Sequence, residues 1–158
     1  MQLVVLEADP QGRDALSLLR AAAVEARGLY PELHGPNDPW PTNGPTPPRG
    51  AYFVAYLSDQ PFAMGAHRPL DARITELRRM FTLDSARRCG AARAILLAVE
   101  QHARSSGFTE IKLETGYKQL AAMALYESMG YKRIEPLGVY KEDATSVCYA
   151  KPIASSEA

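Results

Sequence analysis

Neither charge is in surplus in this chain: 18 basic residues stand against 18 acidic ones in 158. Bulk attraction to nucleic acid or to an anionic membrane surface is therefore not indicated, and any anion site has to be local. Long apolar runs are missing as well. The longest, residues 51–57 and 94–99, are far too short to cross a bilayer. Cysteine is scarce, and Cys89 and Cys148 make neither a disulfide framework nor a zinc pattern. Residues 1–8 lack the basic start and apolar stretch of a secretory signal. The expectation is a reduced, cytoplasmic protein with no nucleic-acid and no membrane partner. His34, His67 and His102 have no ligating companion at useful spacing, so no metal is expected. The Lys of a P-loop is missing after Gly90, and no Gly-x-Gly-x-x-Gly follows the first apolar stretch, which removes the common nucleotide-binding motifs.

What is present is the balance of a globular domain, 46% hydrophobic and 23% charged. Leu3 to Leu6 reads as a strand, and Asp9 to Arg27 as a helix with Leu16, Leu19, Ala23 and Ala26 on one stripe. Residues 28–50 then hold Pro31, Pro36, Pro39, Pro41, Pro45, Pro47 and Pro48, with little periodicity. Such a segment is neither a regular helix nor a central strand. It reads as a lid over the binding side, with Tyr30 and Trp40 to bury, or else as disorder.

Ala51 to Leu57 and Phe62 to Arg68 flank the turn Ser58-Asp59-Gln60-Pro61 as a hairpin, and Arg73 to Thr82 extends the meander. Ala91 to Ser105 is the best helix, with Ala92, Ile95, Leu96, Val99 and Ala103 on one face and Gly107 as its stop. His102 is placed on its exposed side. Thr109 to Glu114 alternates as a strand, Leu120 to Met129 is a short helix closed by Gly130, and Tyr131 to Ile134 and Thr145 to Lys151 are final strands. The order β-α-loop-β-β-β-α-β-α-β-β predicts an α+β fold, a mixed sheet with helices on it. Residues 1–153 read as one domain, and 154–158 as a flexible tail.

Residues 80–93, Met-Phe-Thr-Leu-Asp-Ser-Ala-Arg-Arg-Cys-Gly-Ala-Ala-Arg, carry the strongest functional signal. A strand end, a tight turn and a helix start present free backbone N–H groups to phosphate oxygens. Gly90, Ala91 and Ala92 let a ligand near the backbone, and Arg87, Arg88 and Arg93 add positive charge. A Gly-Ala run opening an ordinary buried helix is the plainer reading of the same residues. Cys89, at a helix start beside two arginines, has no evident His partner and reads as loop packing.

Taken with the element order, Arg87-x-x-Gly90-x-Ala92 resembles the pyrophosphate loop of the GNAT superfamily of N-acetyltransferases. A second segment, Leu125-Tyr126-Glu127-Ser128-Met129-Gly130-Tyr131, is similar to that family's Leu-Tyr-x-x-x-Gly-Phe/Tyr. The resemblance implies a largely antiparallel sheet of six to seven strands, helices on both faces, splayed between the fourth and fifth strands. It implies acetyl-CoA as cosubstrate, its pyrophosphate on the amides of Arg88, Cys89, Gly90, Ala91, Ala92 and Arg93. The pantetheine arm would pair with the main chain at Met80, Phe81 and Thr82, and Gln119 stands where an Asn often contacts the coenzyme. Arg88 departs from the pattern, since members often carry Gly there. Homodimers are common in the superfamily, so the resemblance leaves a homodimer open here, which the sequence alone does not decide.

Tyr126 is the expected general acid, protonating the thiolate that leaves. As a lone residue it would read instead as a core aromatic whose hydroxyl finds a backbone partner. Glu76, on the strand leading into the loop, is the expected base, with a water path as its rival; its offset from Arg78 also fits a surface ion pair. Glu114 is an outside candidate. His67 either lines the acceptor cleft or fills a strand end. The expected activity is acetyl transfer from acetyl-CoA to a primary amine of a small molecule by direct attack; the alternative is an acyl-CoA-binding sensor of the same fold.

Overall fold

The computed structural model describes residues 2–83, 90–138, 141 and 143–153. Its elements run β1 Leu3–Glu7, α1 Arg13–Leu29, β2 Ala51–Leu57, β3 Gln60–Pro69, β4 Ile74–Thr82, α2 Ala91–Ser105, β5 Glu110–Gly116, α3 Leu120–Ser128, β6 Lys132–Ile134 and β7 Ser146–Pro152. The strands form one sheet in the order β1-β2-β3-β4-β5-β7-β6. Only the β4–β5 pair is parallel among these strands; the rest are antiparallel. The last strand therefore slips between β5 and β6, an order that consecutive hairpins would not produce.

Helices cover both faces, and β2 shows why its sequence is apolar throughout. Ala51, Phe53 and Ala55 point into the larger core, with Ile95, Leu96 and Val99 of α2. Tyr52 and Val54 point the other way, onto Ala15, Leu18 and Leu19 of α1. A strand buried on both sides has no polar face to alternate with.

The expected elements are in place to within a few residues at their ends. His102 is a correction: its Nδ1 lies 2.9 Å from His67 Nε2. It faces the sheet, because the buried His67 ring needs a polar neighbour. His67 Nδ1 bonds Thr75 Oγ1 at 2.7 Å, so this pair is a hydrogen-bonded core feature.

The proline-rich segment is pinned, not loose. Trp40 has the Arg20 and Arg27 guanidinium carbons 3.5 Å and 3.6 Å from its ring centre. At those distances the two cations can only lie on opposite faces of the ring. Arg27 also donates to the carbonyls of Asp38 and Pro39. Residues 154–158, expected as a tail, lie outside the described residues.

Candidate functional site

β4 and β5 are bonded only along their first halves, from the pair Ile74–Glu110 to the pair Leu77–Leu113. β4 continues to Thr82 and β5 to Gly116, so beyond Leu77 the two strands part. A cavity of about 270 Å³ opens at the parting, lined by Arg78, Met80, Glu114, Gln119 and Tyr126 among others. Backbone groups at the edge of such a gap are bare of a sheet partner on that side, which makes it a place for a ligand with amides of its own.

A bulge in β4 sets what faces the gap. Met64 pairs with Phe81 and Ala66 with Arg78, so Gly65 alone spans Arg79 and Met80. Arg79 takes φ 61°, the left-handed region that a side chain resists. It is held by bonds from its guanidinium to Asn43 Oδ1 at 3.0 Å and the Thr42 carbonyl at 3.2 Å. The extra residue reverses the alternation: Met80 joins the α2 side and Phe81 the α1 side. Gly65 is required opposite, because a Cβ there would run into Ile95 and lie 2.6 Å from Met80 Sδ.

α2 opens next to this strand end. Gly90 caps it at φ 85°, and the first intrahelical bond runs from the Ala94 amide to the Gly90 carbonyl at 3.0 Å. The amides of Ala91, Ala92 and Arg93 precede that bond and point along the helix axis, as the first amides of any helix do. A Cβ at Gly90 would meet nothing within 4 Å among the described residues. The glycine is thus favoured by its backbone angle rather than by crowding from them. Arg87, Arg88 and Cys89 lie outside the described residues.

The Leu-Tyr-x-x-x-Gly-Tyr segment is a helix stop with a defined geometry. Gly130, at φ 91°, donates to the Glu127 carbonyl, and Tyr131 donates to the Tyr126 carbonyl at 3.0 Å. That closure folds Tyr131 back onto Tyr126, ring centres 5.8 Å apart, with Tyr149 at 6.1 Å on Tyr126 as well. The flanking phenols are occupied: Tyr131 donates to Glu100 at 2.8 Å and Tyr149 to Glu127 at 2.6 Å. Tyr126 is 3% exposed, lines the cavity, and makes no hydrogen bond through its hydroxyl among the described residues. Burial, then the Glu114 charge, push its phenol well above the usual range.

Glu114 lines the cavity; Glu76 does not. Glu76 is buried behind it and accepts from Arg68 Nε at 3.1 Å, with Arg78 Nε at 4.0 Å. Its expected pairing with Arg78 is therefore present, but in the interior and shared with Arg68. Burial raises the Glu114 carboxyl, against a hydrogen bond from the Ser146 hydroxyl at 2.8 Å. Gln119 caps α3 and lines the cavity too, while Phe81 turns its ring to the α1 side. Thr82 pairs with Ala63 at the end of the ladder.

Gly116 was hidden from sequence reasoning, and Tyr30 was expected only as a residue the proline-rich lid would bury. Tyr30, at the end of α1, reaches the cavity rim and accepts the Lys118 amide at 3.0 Å. Gly116 makes room for it. The sequence marks Gly116 only as a glycine at a strand end.

Among the described residues no helix is long and apolar enough to cross a membrane, and no group of three or more His, Cys, Asp or Glu could hold a metal. A parted parallel pair, a bulged strand and a glycine-capped helix beside the gap are the architecture that the sequence resemblance implied. The chain belongs to the acetyltransferase (GNAT) family, whose sequence profile matches residues 17–131. It is 33% identical over 108 residues to the uncharacterized N-acetyltransferase YsnE of Bacillus subtilis, spanning 67% of this chain and 72% of that one. Human N-acetyltransferase 8 is 38% identical over 91 residues, which span 54% of this chain and 40% of the human protein. An acyl-CoA N-acyltransferase structure from Klebsiella pneumoniae superposes with TM-score 0.78 at 24% identity, covering 96% of this chain and 97% of its own. An acetyl-CoA-bound GNAT structure from Elizabethkingia anophelis, 12% identical, superposes with TM-score 0.68 over 96% of this chain and 98% of that one. N-acetyltransferase is thus the activity class, with acetyl-CoA as the family's cosubstrate and an amine as acceptor.

Proposed function

We propose that residues 1–153 form one acetyltransferase domain that moves the acetyl group of acetyl-CoA to the primary amine of a small molecule, with Tyr126 as general acid. The observation that carries the reading is Tyr126 itself: a buried residue that lines the cavity at the parting of β4 and β5, its hydroxyl bonded to no described group. Its two neighbouring phenols are both bonded to carboxylates, so the difference is local.

The coenzyme fits the donor set. Its diphosphate would rest on the amides of Gly90 to Arg93 and on those of Arg88 and Cys89, with Arg87 adding charge. The pantetheine amides would pair with the β4 main chain from Met80 to Thr82, and Gln119 would meet the arm from α3. Acetyl-CoA supplies the thioester; this chain's residues hold and move protons around it. The amine nitrogen bonds to the acetyl carbon, the carbon–sulfur bond breaks, Tyr126 gives its proton to the departing sulfur, and the proton that the new amide nitrogen sheds returns to the phenol through water. The acceptor's ammonium proton leaves beforehand, through water to Glu76 or to Glu114, which lines the cavity itself. Holding the two reactants together supplies most of the acceleration.

The test is a titration with acetyl-CoA by calorimetry, followed by an amine panel with thiol detection. Saturable binding and amine-dependent thiol release are expected. Binding without release from any amine would favour a sensor of the same fold, and absence of binding would remove the reading.

A further inference from the structure

The cavity is not uniformly acidic, as a site for a simple amine or a polyamine would be. Arg78 and Glu114 are the first residues past the last bonded pair, Leu77 and Leu113. Leu77 and Leu113 both point into the α2 core, so Arg78 and Glu114 share the opposite face of the sheet. They line the cavity from its two walls, and no ion pair joins them among the described residues. Each still feels the other: the Arg78 charge acts on the Glu114 carboxyl.

The arginines nearby are not equivalent. Arg68 holds Glu76 at 3.1 Å, and Arg79 is tied to Asn43 and Thr42. Arg78 has one charged contact among the described residues, to Glu76 at 4.0 Å, and no hydrogen bond there. A guanidinium with donors to spare, next to a carboxylate that Arg68 already neutralises, is a fork for a second carboxylate. Arg78 also borders a neighbouring recess of about 300 Å³ with Asn43, Pro45, Pro47 and Tyr52, which gives a side chain somewhere to go.

Resting on the acetyltransfer reading above, we propose that the acceptor is an α-amino acid, its carboxylate held by Arg78 and its amine turned toward Glu114. The ammonium and carboxylate of such a molecule sit on one carbon, matching two opposite charges that line the same cavity with no ion pair between them among the described residues. A polyamine would set its cations against Arg78. Transfer is then the step already described: the ammonium gives one proton to Glu114 or water, the nitrogen gains the acetyl carbon, the thiolate takes the Tyr126 proton, and the second proton that the nitrogen sheds restores the phenol through water.

The experiment compares the common L-α-amino acids with their α-carboxamides, their decarboxylated amines and spermidine, by thiol release under saturating acetyl-CoA. The expected result is a kcat/KM at least about tenfold higher for the best amino acid than for its carboxamide. Arg78→Gln should remove most of that preference, through KM, and Arg78→Lys should keep part of it, with thermal melting checking that both fold. Turnover of carboxamide or spermidine equal to or above the amino acids would overturn the proposal and leave acetyl transfer standing. A preference untouched by Arg78→Gln would overturn the role of Arg78. Acetyl-CoA binding with no amine turned over would sink both readings of the acceptor.

Discussion

The hydroxyl of Tyr30 occupies the space that a Cβ on Gly116 would need. The contact ties the end of α1 to the end of β5 at the rim of the cavity, with the Lys118 amide bonded to the same oxygen. Gly116→Ala is expected to cost about 1–3 kcal/mol, the range for forcing atoms into a packed place. In a Tyr30→Ala background the same change should cost much less. A double-mutant cycle by denaturant unfolding reads the coupling, and additive costs would mean the two positions do not meet.

Tyr126→Phe keeps the ring between Tyr131 and Tyr149 and removes only the proton donor. Turnover should fall by about 100-fold or more, the lower end for losing a general acid, with acetyl-CoA affinity unchanged. Stopped-flow thiol detection and calorimetry separate the two. Equal turnover would take away the acid role.

At Gly90 the backbone angle and the anion site make separable demands. Gly90→Ala strains φ 85° by roughly 1–2 kcal/mol but adds no charge. Gly90→Asp adds the same strain and sets a carboxylate beside the phosphates. The acetyl-CoA Kd should therefore rise at least about tenfold more for Asp than for Ala. Equal effects would place the diphosphate elsewhere.

Glu114 gives the site a pH signature. Its carboxyl is raised by burial, so the ionised form that takes a proton appears only above the ordinary carboxylate range near about 4.3. The rate should climb with pH through that raised value, and Glu114→Gln should lower turnover and flatten this limb. Glu76→Gln, if Glu76 receives the proton through water, should lower turnover more than Glu114→Gln does; comparing the turnover of the two variants decides which carboxylate acts.

Stability has its own acid limb at His67. Burial, then the His102 charge, lower its pKa from 6.5 to about 4. Above 6.5 both folded and unfolded chains hold it neutral. Between 6.5 and about 4 the unfolded chain takes the proton first, so stability falls as pH drops, by at most about 3 kcal/mol. Urea melts at steps of pH check this, and His67→Gln should lessen the slope in that window.

Most elements were legible because they obey short-range rules. The stripe Ile95, Leu96, Val99 and Ala103 and the stop at Gly107 mark α2 without any tertiary knowledge. The site was legible where a motif is also a backbone device: Gly90 and Gly130 both hold positive φ. What escaped depends on partners far along the chain. Nothing local announces that His102 meets His67, 35 residues away, or that Tyr30 reaches Lys118 across 88. Arg78 read as a surface partner of Glu76 because the sequence does not reveal that Arg68 takes the closer place. The place of β7 between β5 and β6 is likewise a choice made by the whole sheet.

The supernumerary residue in β4 decides the orientation of every residue after it in the strand. Deleting Arg79 would shorten the chain by one amino acid yet swap the sides of Met80, Phe81 and Thr82, evicting a thioether from one core and pushing a benzyl ring into it. A substitution at Arg79 keeps this register, whereas a deletion does not. The spacing from Arg78 to Thr82 is thus set by the pairing of β4 on β3.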